Sequence, residues 1–270
     1  MNIKAAIILA AAAGSVAAVP ASAQTRSGFE VGAEIYDYSY REQVEEEDLV
    51  FDDGTFFGVT ASYAHRLGGN WFLRARTSFA WGSVDYSSED GQLSDVPQDM
   101  GQLELHVGHD FGLGSGATLT AFTGVGGRVL NDHSGGEETE SGLQGYDREV
   151  AYAYIPVGLS VGVPLGGGLS VAVSGQYNHV FGGKATSRFS ELDPELPDID
   201  LDLNGGSGFE LSAMVSIPVG KSAVRIGPFL RRWDIDRSDS LILREEDLEL
   251  EVYEPENRTN EAGVRLTFAF

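Results

Sequence analysis

The stretch GVRLTFAF, Gly263 to Phe270, alternates large apolar side chains (Val264, Leu266, Phe268, Phe270) with small or polar ones (Gly263, Arg265, Thr267, Ala269). Alternation with period two is the signature of a β-strand with two different faces. A greasy stripe on an exposed strand edge is an aggregation hazard in water. It is harmless where the strand closes a barrel and the stripe faces lipid. The stretch therefore predicts a membrane-facing strand, and the rest of the chain can be read for its companions.

Nine further segments repeat the pattern: Gly28–Gln43, Thr55–Leu67, Trp71–Ser87, Met100–Leu113, Ala117–Asn131, Val150–Leu165, Leu169–Arg188, Gly208–Val219 and Ala223–Ser238, with Asn260–Phe270 as the tenth. Each is long enough to cross a bilayer, which takes about 9–11 tilted residues. Their connections alternate between short and long. Gly68-Gly69-Asn70, Gly114-Ser115-Gly116, Gly166-Gly167-Gly168 and Gly220-Lys221-Ser222 are glycine-bearing hairpin turns. Val44–Gly54, Ser88–Asp99, Asp132–Glu149, Phe189–Ser207 and Asp239–Thr259 are long and all fall at the other end. An even number of strands with short turns at one end and long loops at the other is the layout of an outer-membrane barrel.

The first residues agree with export. Lys4 is a basic n-region, Ala5 to Ala18 an apolar h-region, and Ala21-Ser22-Ala23 a small-residue cleavage site. The expected organisation is a signal peptide over 1–23 and a single barrel domain over 24–270. Losing Lys4 makes the mature charge one unit more negative than the −23 of the whole sequence. Such acidity argues against nucleic acid as a partner, and the absence of cysteine excludes disulfides and thiolate metal sites.

Side-chain parity separates a membrane barrel from a soluble one. One parity is apolar throughout: Phe57, Val59 and Tyr63; Leu73 and Phe79; Leu103, Leu105 and Val107; Ile155 through Leu165. Aromatics near the strand ends suggest interfacial girdles, with Trp71, Phe111, Phe268 and Phe270 low and Tyr36, Tyr38, Trp81, Tyr152, Tyr154 and Tyr177 high. The opposite parity carries Glu30, Glu34, Arg66, Arg74, Arg76, Glu104, His106, Asp110, Arg128, Glu210, Arg225, Arg231, Glu261 and Arg265, which is six acids against seven arginines. A small soluble barrel fills its interior with apolar side chains, so ionised groups belong inside and the greasy face outside.

On the leader site, the ten alternating segments and the ending Val264-Arg265-Leu266-Thr267-Phe268-Ala269-Phe270, the chain resembles the outer-membrane β-barrel proteins of Gram-negative bacteria. The resemblance implies location in the outer membrane, contact with its lipid and lipopolysaccharide, and biogenesis by periplasmic chaperones and the barrel-assembly machinery. In that family the machinery reads a terminal signal that Val264, Leu266, Phe268 and Phe270 match.

Strand order predicts the charge pairs. Closure sets Glu30 and Glu34 opposite Glu261 and Arg265; Arg74 and Arg76 adjoin Glu104; Glu210 neighbours Arg225 and Arg231. Eight strands leave an interior that side chains fill, and sixteen or more leave a water channel. Ten, with this ladder, predict a filled lumen, the alternative being a narrow ion or solute path lined by arginines. Acidic clusters at Glu45-Glu46-Glu47-Asp48, Glu137-Glu138, Asp193 to Asp202 and Glu245-Glu246-Asp247 to Glu256 predict solvated outer loops. Their carboxylates suit Ca²⁺ or Mg²⁺. Asp198, Asp200 and Asp202 before Gly205 are spaced like calcium ligands, but Phe209 stands where an EF-hand has its last Glu.

The expected function is that of a monomeric integral surface protein with acidic loops that meet cations, lipopolysaccharide or a partner, and with no resident cofactor. Ten-stranded outer-membrane proteases, the omptins, carry an acid pair and a His-Asp pair at the rim. Here Asp85, Glu89-Asp90, His179 and Asp132-His133 offer acids and histidines without that spacing, so no catalytic residue is assigned. His65 and His109 read as interfacial histidines near the short turns.

Overall fold

The structure, a computed structural model, describes residues 25–44, 47–89, 91–245 and 248–270. The leader at 1–23, Gln24, Glu45-Glu46, Asp90 and Glu246-Asp247 lie outside the described residues.

Ten long antiparallel strands close into one barrel: β1 Gly28–Val44, β2 Glu47–Gly68, β3 Trp71–Ser88, β4 Gly91–Gly114, β5 Ala117–Asp132, β6 Arg148–Gly166 and β7 Leu169–Ser187, followed by β9 Gly206–Val219, β10 Ser222–Ile235 and β13 Glu256–Ala269. Each pairs with the next, and β13 returns to β1, matching Glu34 with Arg265 and Tyr38 with Glu261. Closure pairs every edge, so a stable cylinder forms with no helix. Three short strands lie outside the cycle: β8 Ile199–Leu203 extends the sheet on the top of β7, and β11 Leu241–Glu245 pairs with β12 Leu248–Val252 in a separate hairpin.

The long connections are more ordered than the sequence suggests. Residues read as the loops Val44–Gly54 and Ser88–Asp99 continue the sheet, so β2 reaches 22 residues and β4 reaches 24. Both greatly exceed the span of a bilayer, and the barrel stands above it. The short turns hold their strands by backbone geometry: Gly166, Gly167 and Gly168 take φ of 91°, 59° and 82°, a left-handed run that L side chains resist.

Outward parity follows the sequence. Phe57, Val59, Leu73, Phe79, Leu103, Leu105, Val157, Leu159, Leu211, Ile217, Leu230, Val264 and Leu266 are all exposed on the outer face. An apolar belt of this size has no place in water.

The aromatic girdle is only half as expected. Trp71, Trp81, Phe111, Tyr177 and Phe270 face outward, whereas Tyr36, Tyr38, Tyr152 and Tyr154 are buried in the lumen. Parity decides this. Tyr36 and Tyr38 lie two and four residues beyond the inward Glu34, so they share its face. They pack with Tyr40, Phe56, Met100 and Phe229 on one side of the upper lumen, while Tyr152, Tyr154, Val180, Leu203 and Trp233 form a second cluster.

Candidate functional site

Ionised and aromatic side chains interleave in the lumen. In its middle, four arginines and four glutamates alternate in an unbroken chain. Arg128 meets Glu261 at 2.6 Å, Glu261 meets Arg231 at 2.7 Å, and Arg231 meets Glu34 at 2.9 Å. Glu34 meets Arg265 at 3.0 Å, and Arg265 meets Glu210 at 3.3 Å. Glu210 meets Arg76 at 3.0 Å, and Arg76 ends the chain 3.6 Å from Glu104. Glu104 also accepts hydrogen bonds from Tyr154 (3.0 Å), Gln176 (2.7 Å) and Gln102 (3.2 Å). Burying ions away from water is costly unless each meets opposite charge and donors, and alternation supplies both.

Three expected juxtapositions differ. At the seam only Glu34 and Arg265 are opposite, while Glu30 faces Ala269 and Glu261 faces Tyr38. Arg74 does not join Glu104; its neighbour Arg76 does. Glu210 faces Arg231 in strand register, yet its carboxylate bonds Arg76 and Arg265, while Arg225 pairs with Glu30. Long arginines reach across the lumen to strands that sequence order keeps apart. Aromatic rings interleave with the chain and are tied to it by cation–π contacts: Phe229, between Arg231 and Arg265 in strand register, lies 4.6 Å and 4.7 Å from their guanidinium groups, and Trp233 lies 5.3 Å from that of Arg128.

Below the ion pairs a cavity of about 350 Å³ is lined by Arg74, His106, Ser174 and Ser212, and by residues of the short-turn end such as Gly168 and Ser222. At its side Arg66 pairs with the buried Asp110 at 3.0 Å, and Thr120 donates to Asp110 at 2.6 Å.

The outer rim holds polar clusters that the sequence did not reveal. Arg148 sits between Glu42 (2.8 Å) and Glu254, and Tyr40 donates to Glu42 at 3.0 Å. Gln98 donates to Asp52 at 3.2 Å and to Asp132 at 2.7 Å. Their joint signal is parity: each inward polar residue lies beyond the apolar belt, but on strands far apart in sequence. Asp132 ends β5 and His133 lies just beyond the strand, and no hydrogen bond or ion pair joins their side chains among the described residues. His133 nevertheless finds acids, with Nε2 2.8 Å from Asp99 and Nδ1 3.7 Å from Asp147, contacts that the sequence spacing does not secure. Hydrogen bonding to Asp99 raises the His133 pKa.

Asp85 instead accepts the Asp95 N–H at 3.3 Å, and no hydrogen bond or ion pair among the described residues links it to His179. His109, near a short turn, contacts the Gly69 carbonyl and the Trp71 ring, and His65 lies beside Tyr63. Asp198 and Asp200 do not converge: Asp198 accepts from Ser190, and Asp200 from Lys184 and Thr186. Asp202 is exposed on the same strand, and no group of three acidic or histidine side chains is arranged to hold a metal among the described residues.

Asp52 lies just above the belt, beside the exposed, ion-paired Asp53. Burial, reinforced by the charge of Asp132, pushes its pKa up to about 7. The folded state then keeps a proton that the unfolded chain releases near pH 4. Its contribution to stability is fully present below about pH 4 and is lost as pH rises through 7; His133, raised as well, acts in the same direction. Between pH 5 and pH 8 the unfolding free energy should fall by on the order of 1–3 kcal/mol more in the wild type than in Asp52→Asn. Urea titrations at both pH values check this, and parallel profiles would contradict it.

No protein-family model and no curated protein matches the sequence. Among solved structures, the chain is similar to the outer membrane protease OmpT of Escherichia coli, with 11% identity, 92% of this chain and all of that one covered, and a TM-score of 0.60. The toluene transporter TbuX of Ralstonia pickettii matches at 11% identity and TM-score 0.40, covering 93% of this chain and 91% of that one. Neisserial surface protein A matches at 12% and 0.33, covering 89% and 97%. The chain has the fold of an outer-membrane β-barrel.

Proposed function

We propose that this chain is an integral outer-membrane surface protein: a sealed, monomeric barrel that carries an acidic rim out of the bilayer to meet cations, lipopolysaccharide or a partner. The supporting observation is the lumen filling itself: eight alternating ions interleaved with packed aromatics across the barrel. Ions would have to break paired, desolvated charges to pass, at a cost of several kcal/mol each. The elevated tops of β2 and β4, with β8 and the β11–β12 hairpin, then form the working face.

The competing reading is a narrow channel. Reconstituted into planar bilayers, the purified protein should show rare, irregular flickers and no steady level. Steady unit conductance that reproduces between insertions would establish the channel instead.

A further inference from the structure

Below the rim clusters, the inward face of the strands carries six acids and seven arginines, and the structure identifies the odd one. The central chain balances four arginines with four glutamates, Arg66 pairs with Asp110, and Arg225 pairs with Glu30. Arg74 is left without a carboxylate partner among the described residues. Its guanidinium lies over two aromatic rings, 5.0 Å from the centre of Phe72 and 5.4 Å from that of Phe122, and its Nε is buried without a hydrogen-bond partner. Ring faces support a cation but donate nothing to replace the charge lost from water.

Beside it on the lumen face is His106, its cross-strand partner in the β3–β4 register. His106 is 3% exposed, its Nε2 lies 3.5 Å from the Glu104 carboxylate without hydrogen-bond geometry, and its Nδ1 has no hydrogen-bond partner. The Phe122 ring lies 4.8 Å from the His106 ring and occupies the space over Gly158, where an added Cβ would come within 2.2 Å of it. Arg74, His106 and Phe122 all line the cavity that reaches the short-turn end, and Thr120, Ser160, Ser174 and Ser212 line it with hydroxyls.

We propose that this cavity binds a small oxyanion, a carboxylate or a phosphate ester, entering from the short-turn side and held by Arg74 with His106 and the serine hydroxyls. A planar guanidinium fork matches the two oxygens of a carboxylate or phosphate. About 350 Å³ lies at the small end of small-ligand pockets, room for a metabolite-sized anion. The proposal goes beyond the surface-protein reading and does not depend on whether the lumen conducts.

Two variants separate the site from ionic strength. Arg74→Met removes the fork and keeps the apolar contacts with Phe72 and Phe122. Ala64→Glu places a carboxylate on the residue directly opposite Arg74 in the β2–β3 register, supplying a built-in partner. Calorimetric titration of the folded barrel in detergent would use succinate and inorganic phosphate against sodium chloride of equal ionic strength. One-site binding to either probe is expected in the wild type, weakened roughly tenfold or more in both variants, since a charge-assisted bond contributes on the order of that factor. Should Arg74→Met not fold, Ala64→Glu decides alone. Absence of binding to both probes at millimolar concentration, or equal binding in wild type and in every variant that folds, overturns the site.

Discussion

Glu261→Leu should lower the unfolding free energy by about 3–5 kcal/mol, the loss typical of breaking a buried ion pair from one side. The Glu261 side chain has no exposed surface and holds two arginines, Arg128 at 2.6 Å and Arg231 at 2.7 Å. Leucine fills most of the volume, so the loss measures charge and not cavity. The variant strands Arg128 completely, because Glu261 is its sole carboxylate partner among the described ion pairs, whereas Arg231 keeps Glu34 at 2.9 Å. Adding Arg128→Met should therefore restore part of the stability, since removing both partners of a buried pair costs far less than removing one. Trp233, buried with the Arg128 guanidinium 5.3 Å from its ring centre, gives a fluorescence reporter in contact with the network. Denaturant titrations of both variants in detergent check the pair. A loss below about 1 kcal/mol for Glu261→Leu would place the network in the class of solvated ion pairs and remove it as the seal of the lumen.

The membership of that network is legible in the sequence, whereas its wiring is not. Parity alone sorts Glu34, Arg76, Glu104, Glu210, Glu261 and Arg265 to one face, because side chains alternate strictly along a strand. Which carboxylate each guanidinium reaches depends on the distance across the cylinder. That distance is set by strand number and stagger, not by neighbours in sequence. Arg128 to Glu261 and Arg76 to Glu210 both join strands that are not adjacent. The tyrosines failed for a different reason. Tyr36, Tyr38, Tyr152 and Tyr154 sit near the top of the belt, where girdles occur, but parity puts Tyr36 and Tyr38 on the face of Glu34. The upper loops were misjudged because composition there is polar on both faces, which hides alternation: Asp52 and Asp53, adjacent on β2, face opposite sides, one buried and one exposed. His133 found Asp99 through the β4–β5 pairing, where Asn131 lies opposite Asp99. Sequence spacing carries no trace of that contact.

Leu159→Arg should cost about 2–4 kcal/mol in lipid vesicles, and Leu165→Arg on the same strand only about 0–1, because the penalty for arginine on a lipid-facing site falls from midplane to interface. Both leucines belong to the outward parity of β6, at 55% and 61% exposure, so neither change opens a cavity or meets a buried charge. What distinguishes them is depth. Leu159 lies midway along the apolar run from Ile155 to Leu165, and Leu165 is next to the turn at Gly166, where a long arginine can carry its head to water. A protein whose outer face met solvent would accept arginine equally at both places, and a barrel inserted at a different height would move the maximum toward one end of β6. Equal small losses at the two sites would refute a lipid-facing belt. The measured difference thus tests the assignment of inside and outside independently of the ion-pair chain, since Leu159 touches the bilayer and Glu261 the lumen.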